Sequence, residues 1–169
     1  MNEKQDFEAA LALEPERGLY RLNADLPADT LREIATNAGY VFYCIDGTTV
    51  TDHPSFFITL TQAFEWPQPG GGNWDAVFDV LTEPRYYEPQ EKGIILFDQC
   101  HHLARSDPAS FNIVADILKE IPPRFVRYLD HHSMKGREAF RIYTLLRGED
   151  DAFRALPDEV LPLPTFLKS

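Results

Sequence analysis

Gly93-Ile94-Ile95-Leu96-Phe97 contains no polar side chain. A strand with one face in water alternates apolar and polar residues, whereas one that stays apolar at successive positions is covered on both faces. That is the condition of a strand inside a parallel sheet packed between helices. Upstream, Tyr40-Val41-Phe42-Tyr43-Cys44-Ile45 is aromatic and β-branched with an Asp46-Gly47 turn behind it, and reads as a second strand. Gly18-Leu19-Tyr20-Arg21-Leu22 is a shorter one, and Phe140 to Leu146 is the last.

Helical signals fill the intervals. Asp29 stands where it can cap a helix over Thr30 to Ala38, which Gly39 stops. Pro54 to Phe64 carries apolar residues at Phe57, Leu60 and Phe64, and the Pro/Gly-rich stretch from Trp66 to Gly72 breaks that helix. Asn73 is placed as the N-cap of a helix reaching about Thr82. Asp107-Pro108 opens another, with its stripe at Phe111, Val114, Ile117, Leu118 and Ile121, and Pro122-Pro123 is expected to end it. The alternation predicts an α/β fold: a small, mostly parallel sheet of three to four strands flanked by helices. Residues 1–17 read as a charged, loose or weakly helical lead-in, residues 18–147 as the domain, and residues 148–169 as a tail bearing prolines from Pro157 to Pro164.

Charge is distributed unevenly over this frame. The net charge is −11, and between Arg32 and Arg85 there is no lysine or arginine. With 16 basic residues in 169, a stretch of that length would ordinarily hold about five. It carries instead the carboxylates Glu33, Asp46, Asp52, Glu65, Asp75, Asp79 and Glu83. Such a surface suits a cationic partner and repels nucleic acid, for which the chain offers no basic run or stripe. Within it lies Gly70-Gly71-Gly72-Asn73-Trp74-Asp75-Ala76-Val77-Phe78-Asp79-Val80-Leu81, a glycine loop running into a short helix. Asp75 falls in the first turn, toward the positive end of the helix dipole, and Asp79 follows at i+4 on the same stripe. Trp74, Val77, Phe78 and Leu81 take the other side. Like charges at this spacing cost a helix a few tenths of a kcal/mol. No neighbouring Lys or Arg in the sequence offsets them.

The segment from Ile45-Asp46-Gly47 through Gly71-Gly72-Asn73-Trp74-Asp75-Ala76, Phe78-Asp79 and Leu81-Thr82 to the helix ending Ile117-Leu118-Lys119-Glu120 resembles the barstar family of intracellular ribonuclease inhibitors. Gly18 to Leu22 is similar to the extra N-terminal strand of longer members. The resemblance implies a protein that blocks the cationic active site of a ribonuclease or nuclease-type toxin by carboxylate mimicry of phosphate. It implies Asp79 as central contact, Asp75 beside it, Asn73 bracing the loop, Gly71, Gly72 and Trp74 at the interface, and Glu120 as an outer contact. The chain departs from the family pattern at Gln68-Pro69-Gly70, Gly72 and Phe78, where barstar carries aromatic residues, a glutamate and a tryptophan. The alternative is an acidic interaction or regulatory module of the same fold with no nuclease target.

Other chemistries find less support. For Asp75 and Asp79 the bland reading is a solvated helix face, and for Trp74 a core residue. His101-His102 and His131-His132 are adjacent pairs whose side chains diverge, and neither Cys44 nor Cys100 stands in a Cys-x-x-Cys frame, so no metal site is expected. Phosphate-loop, dinucleotide and Gly-x-Ser-x-Gly motifs are missing, so neither an enzyme nor a cofactor is expected. Free thiols, no secretory signal and no long apolar run point to a cytoplasmic protein with no membrane partner. A monomer is expected.

Overall fold

The computed structural model describes residues 2–16, 18–65, 73–82, 92–131, 142–154, 156 and 165–166. Along the chain lie α1 (Glu3–Ala12), β1 (Leu19–Arg21), α2 (Ala28–Asn37), β2 (Tyr40–Asp46), a 3-10 turn (Gly47–Thr49), α3 (His53–Phe64) and α4 (Trp74–Thr82). They are followed by β3 (Lys92–Asp98), α5 (His101–Ser106), α6 (Pro108–His131), β4 (Ile142–Leu146) and α7 (Asp150–Arg154). The four strands form one parallel sheet in the order β1-β4-β3-β2.

β3 sits inside the sheet and is buried at every position from Gly93 to Asp98, as its unbroken apolar run predicts. Its side chains alternate between two cores. Ile95 and Phe97 face α3, α4, α5 and α6, where Phe56, Leu60, Val77, Leu81, Phe111 and Leu118 fill the space. Ile94 and Leu96 join Leu31, Ile34 and Ala35 of α2 on the other face, with Phe7 and Leu11 of α1. Gly47, directly after β2, has room for no side chain: a Cβ there would stand 2.4 Å from the Asp98 carbonyl oxygen. Gly39 closes α2 at φ 86, in the left-handed region that glycine tolerates.

Three expectations are corrected. The lead-in is helical, the second of its two expected forms, but it is not a loose appendage: α1 begins with a capping box between Asn2 and Gln5 and buries Phe7 and Leu11 completely or nearly so. Two apolar residues four apart are too few to signal an amphipathic helix, yet on a helix they share one face and reach the sheet. The cap of α2 is Pro27 rather than Asp29, which lies in the first turn. Nor do Pro122 and Pro123 end α6, for both lie inside it. Proline cannot donate to the carbonyl four residues back, which for Pro122 is that of Leu118. The Thr144 hydroxyl of β4 donates to that carbonyl at 2.8 Å, so the acceptor is satisfied from another element. The short helices α5 and α7 add to the expected elements. Beyond β4, Thr165 forms a parallel bridge to Arg21 and Phe166 is buried in the second core, so this end of the chain returns to the β1 edge.

Candidate functional site

α4 is short, and its placement depends on its ends and its inner face. Asn73 caps it as expected: its Oδ1 accepts from the Ala76 amide at 2.8 Å and its carbonyl from the Val77 amide at 3.2 Å. Val77 and Leu81 are buried, Phe78 packs partly buried against the same core, and the helix lies against α6. Trp74 anchors the amino end. Its ring stacks on His53 with centroids 4.6 Å apart and planes 19° from parallel, and it also meets Phe56 at 5.7 Å and Phe57 at 5.1 Å. His53 in turn stands edge-on to Phe57 at 4.1 Å. This aromatic cluster ties the start of α4 to the start of α3.

On the opposite side of α4, Asp75 and Asp79 are exposed one turn apart. Among the described residues neither takes part in a hydrogen bond or an ion pair. Other acids of the basic-free stretch have structural work. Asp46 accepts from the amide and hydroxyl of Thr48 at 3.0 and 2.6 Å, and these bonds hold its carboxyl below the usual range. Asp52 caps α3 through Ser55, in a capping box, with the same effect on its titration. Ion pairs such as Arg21–Asp150, Lys92–Glu14, Arg105 with Glu149 and Asp151, and Arg147–Asp98, and the approach of His101 to Glu149, lie outside α4. Among the described residues, then, nothing neutralises the two aspartates, which stand on a helix seated by its inner face. Glu120 lies half-buried on α6, the helix against which α4 packs, and is not without partners of its own. Gly71 and Gly72 fall outside the described residues.

The structure adds a residue that sequence reasoning passed over. His53 has its Nε2 buried without a hydrogen-bond partner among the described residues while its ring supports Trp74. Its signal was present in Asp52-His53-Pro54-Ser55, a capping box that puts His53 in the first turn of α3. The packing of Trp74 on that turn was not legible. The pair His101-His102 has ring centroids 4.2 Å apart, with His101 buried. Among the described residues no group of three or more His, Cys, Asp or Glu side chains is arranged to hold a metal ion. Burial pushes the Cys44 thiol up to about 11 and the Cys100 thiol up to about 12, so both stay protonated and unreactive near neutral pH. No helix among the described residues is long and apolar enough to cross a membrane.

Among solved structures the chain is similar to Cdc6p from Pyrobaculum aerophilum, with a TM-score of 0.57 and 16% identity over 97% of this chain and 44% of that one. It is also similar to the ORC2 protein of Aeropyrum pernix in its ADPNP–ADP complexes, with a TM-score of 0.54 and 12% identity over 96% of this chain and 45% of that one. The chain spans less than half the length of these proteins, and at such identity the likeness is one of fold alone. No curated protein matches the sequence significantly. The family model described as Barstar (barnase inhibitor) matches residues 40–140, from the start of β2 to the approach to β4 and including α4. More than half of the sequence lies within that match, and the chain therefore belongs to the Barstar (barnase inhibitor) family.

Proposed function

We propose that this protein is a cytoplasmic, stoichiometric inhibitor of a ribonuclease or nuclease-type toxin, acting as a monomer and not as an enzyme. Asp79 is the central contact and Asp75 its neighbour, and together they occupy the cationic subsites that otherwise hold substrate phosphates. Asn73 fixes the helix start, Trp74 locks it to α3, Gly71 and Gly72 give the partner close access to the backbone, and Glu120 contributes at the edge. The observation that carries the reading is the pair of exposed carboxylates on α4, one turn apart and without a hydrogen bond or ion pair among the described residues, in a chain of the barstar family. Because α4 is already seated by Val77, Leu81 and Trp74, little ordering accompanies binding, and the attraction between opposite charges is retained as affinity. The surrounding acidic surface speeds encounter with a basic protein and excludes nucleic acid as a competing ligand.

Titration of barnase and other basic ribonucleases with the purified protein tests this. A target is expected to lose activity with an equimolar end point, and binding is expected to weaken as salt rises. Asp79→Ala should cost about 2–5 kcal/mol of binding, roughly thirty- to several-thousand-fold in Kd, a range to which the barnase–barstar complex itself contributes. Full inhibition by Asp79→Ala would overturn the site. The departures at Gly72 and Phe78 favour a second reading, an acidic interaction module with a basic non-nuclease partner. Capture of such a protein through Asp79, with ribonucleases untouched, would establish it.

A further inference from the structure

The two ends of α4 are seated by different means. Val77 and Leu81 are buried in the core that α6 lines, and α4 packs on α6. The amino end reaches α3 through one side chain, the ring of Trp74, which meets His53, Phe56 and Phe57. Asp75 follows Trp74 directly, whereas Asp79 follows Phe78 and lies two residues before the buried Leu81. The place of Asp75 is therefore set by the contact with α3, and that of Asp79 by the core.

The three rings of α3 differ in kind. Phe56 and Phe57 belong to the core, and Phe56 also stands edge-on to Phe97 of β3 at 5.6 Å. His53 is half-buried and gives Trp74 its near-parallel contact. The backbone beneath this imidazole is fixed from two elements. Within α3, the Asp52 carboxylate accepts from the Ser55 amide at 2.9 Å, and the amides of Thr51 and Asp52 donate to the Ser55 hydroxyl at 3.0 and 3.1 Å. From α5, the Ser106 hydroxyl donates to the Thr51 carbonyl at 2.6 Å. Phe57, one turn on and edge-on at 4.1 Å, fixes the plane of the ring.

The imidazole is not there for stability. Its Nε2 is buried with no hydrogen-bond partner among the described residues, and a phenylalanine would offer the same ring face without an unpaired polar atom. What it supplies is a rigid platform under Trp74. We propose that His53 is a positioning residue for the partner-binding face: stacked on Trp74, it holds the first turn of α4 so that Asp75 keeps its place beside Asp79. The proposal rests on the inhibitory reading of α4 and adds that the two carboxylates are supported separately. Without the platform the first turn frays, and the ordering of Asp75 is lost from the binding energy.

Two readouts in the full chain test it, with His53→Ala, His53→Leu (apolar volume without a ring face) and His53→Phe (the ring face without nitrogen). The first needs no target: hydrogen exchange at the Ala76 and Val77 amides, which donate to Asn73. Alanine and leucine should accelerate it about tenfold while the amides of β3, which report the fold, keep their protection. Phenylalanine should leave it unchanged and should not lower the urea midpoint. The second is the Kd for barnase, or for another basic ribonuclease that titrates to an equimolar end point. His53→Ala and His53→Leu should weaken it about tenfold, and His53→Phe less than about threefold. In an Asp75→Asn background His53→Ala should cost less than about threefold further, but in an Asp79→Asn background the full tenfold, about. A residue that only stabilised the fold would cost the same in both. Equal losses in the two backgrounds, or unchanged exchange at Ala76 and Val77, would overturn the role of His53 with the inhibitory reading intact. Failure to inhibit any ribonuclease while exchange responds as expected would overturn that reading instead, and leave His53 as the residue that holds the turn.

Discussion

Gly47 and His101 each stand in a tight surrounding, one because no side chain fits and the other because its ring is buried. The position of Gly47 leaves the Asp98 and Gln99 carbonyl oxygens 2.4 and 2.7 Å from any Cβ, and both belong to backbone that β3 fixes. Gly47→Ala should therefore destabilise the fold by about 1–3 kcal/mol, measured by urea unfolding, through the displacement of backbone rather than of a yielding side chain. His101 is buried, and this burial, reinforced by His102, holds its imidazole below the ordinary 6.5 although Glu149 opposes the shift. The unfolded chain takes up this proton near 6.5 while the folded chain resists until a lower pH. In that interval the unfolded state binds more protons, so the contribution to stability is full above 6.5 and declines as pH falls toward the folded value. The urea midpoint of the protein should fall over this interval relative to its neutral-pH value, and His101→Gln should flatten that part of the profile.

Helix ends and helix interruptions govern the element scale. The Asn73 side chain satisfies an otherwise orphan amide at the start of α4, and Asn73→Ala should cost about 1 kcal/mol of stability. On the proposed function it should also weaken inhibition, because the turn that holds Asp75 frays. In α6 the Leu118 carbonyl, deprived of a donor by Pro122, depends on the buried Thr144 hydroxyl. Thr144→Val preserves shape but leaves that acceptor without its bond, at a cost of about 1–3 kcal/mol. Adding Pro122→Ala restores an amide that can reach the Leu118 carbonyl, so the double variant should lose less than the single Thr144→Val. A double-mutant cycle on unfolding free energies measures this coupling.

At the scale of the whole molecule, the segments before β2 and after β4 are joined to the same sheet. Phe7 lies in one core with Phe166, their ring centroids 5.8 Å apart, and Tyr20 and Tyr143 complete the cluster. Arg147 bonds the β1–α2 loop to the end of β3 through Ala24, Leu26 and Asp98. Phe7→Ala should cost about 3–5 kcal/mol, in the range of buried aromatic truncations, and should lower the midpoint of the one unfolding transition of the domain. If α1 were a loose leader, the variant would be neutral. Because Phe7 belongs to the core opposite α4, inhibition under native conditions should be unaffected.

The pattern of the sequence by itself determined the parallel α/β class, the two-sided burial of β3, the cap at Asn73 and the common stripe of Asp75 and Asp79. These depend on local conformational preference and on side-chain period, which are properties of neighbouring residues. The anchoring of α1 by Phe7 and Leu11, the passage of α6 through Pro122 and Pro123, and the return of Phe166 to the β1 edge were decided only by the tertiary structure. Each depends on a partner far along the chain: the face of the sheet, the hydroxyl of Thr144, the rings of Phe7 and Tyr20. The same holds for the support of Trp74 by His53, since stacking arises from the packing of distant segments and leaves no periodic trace in the residues that form it.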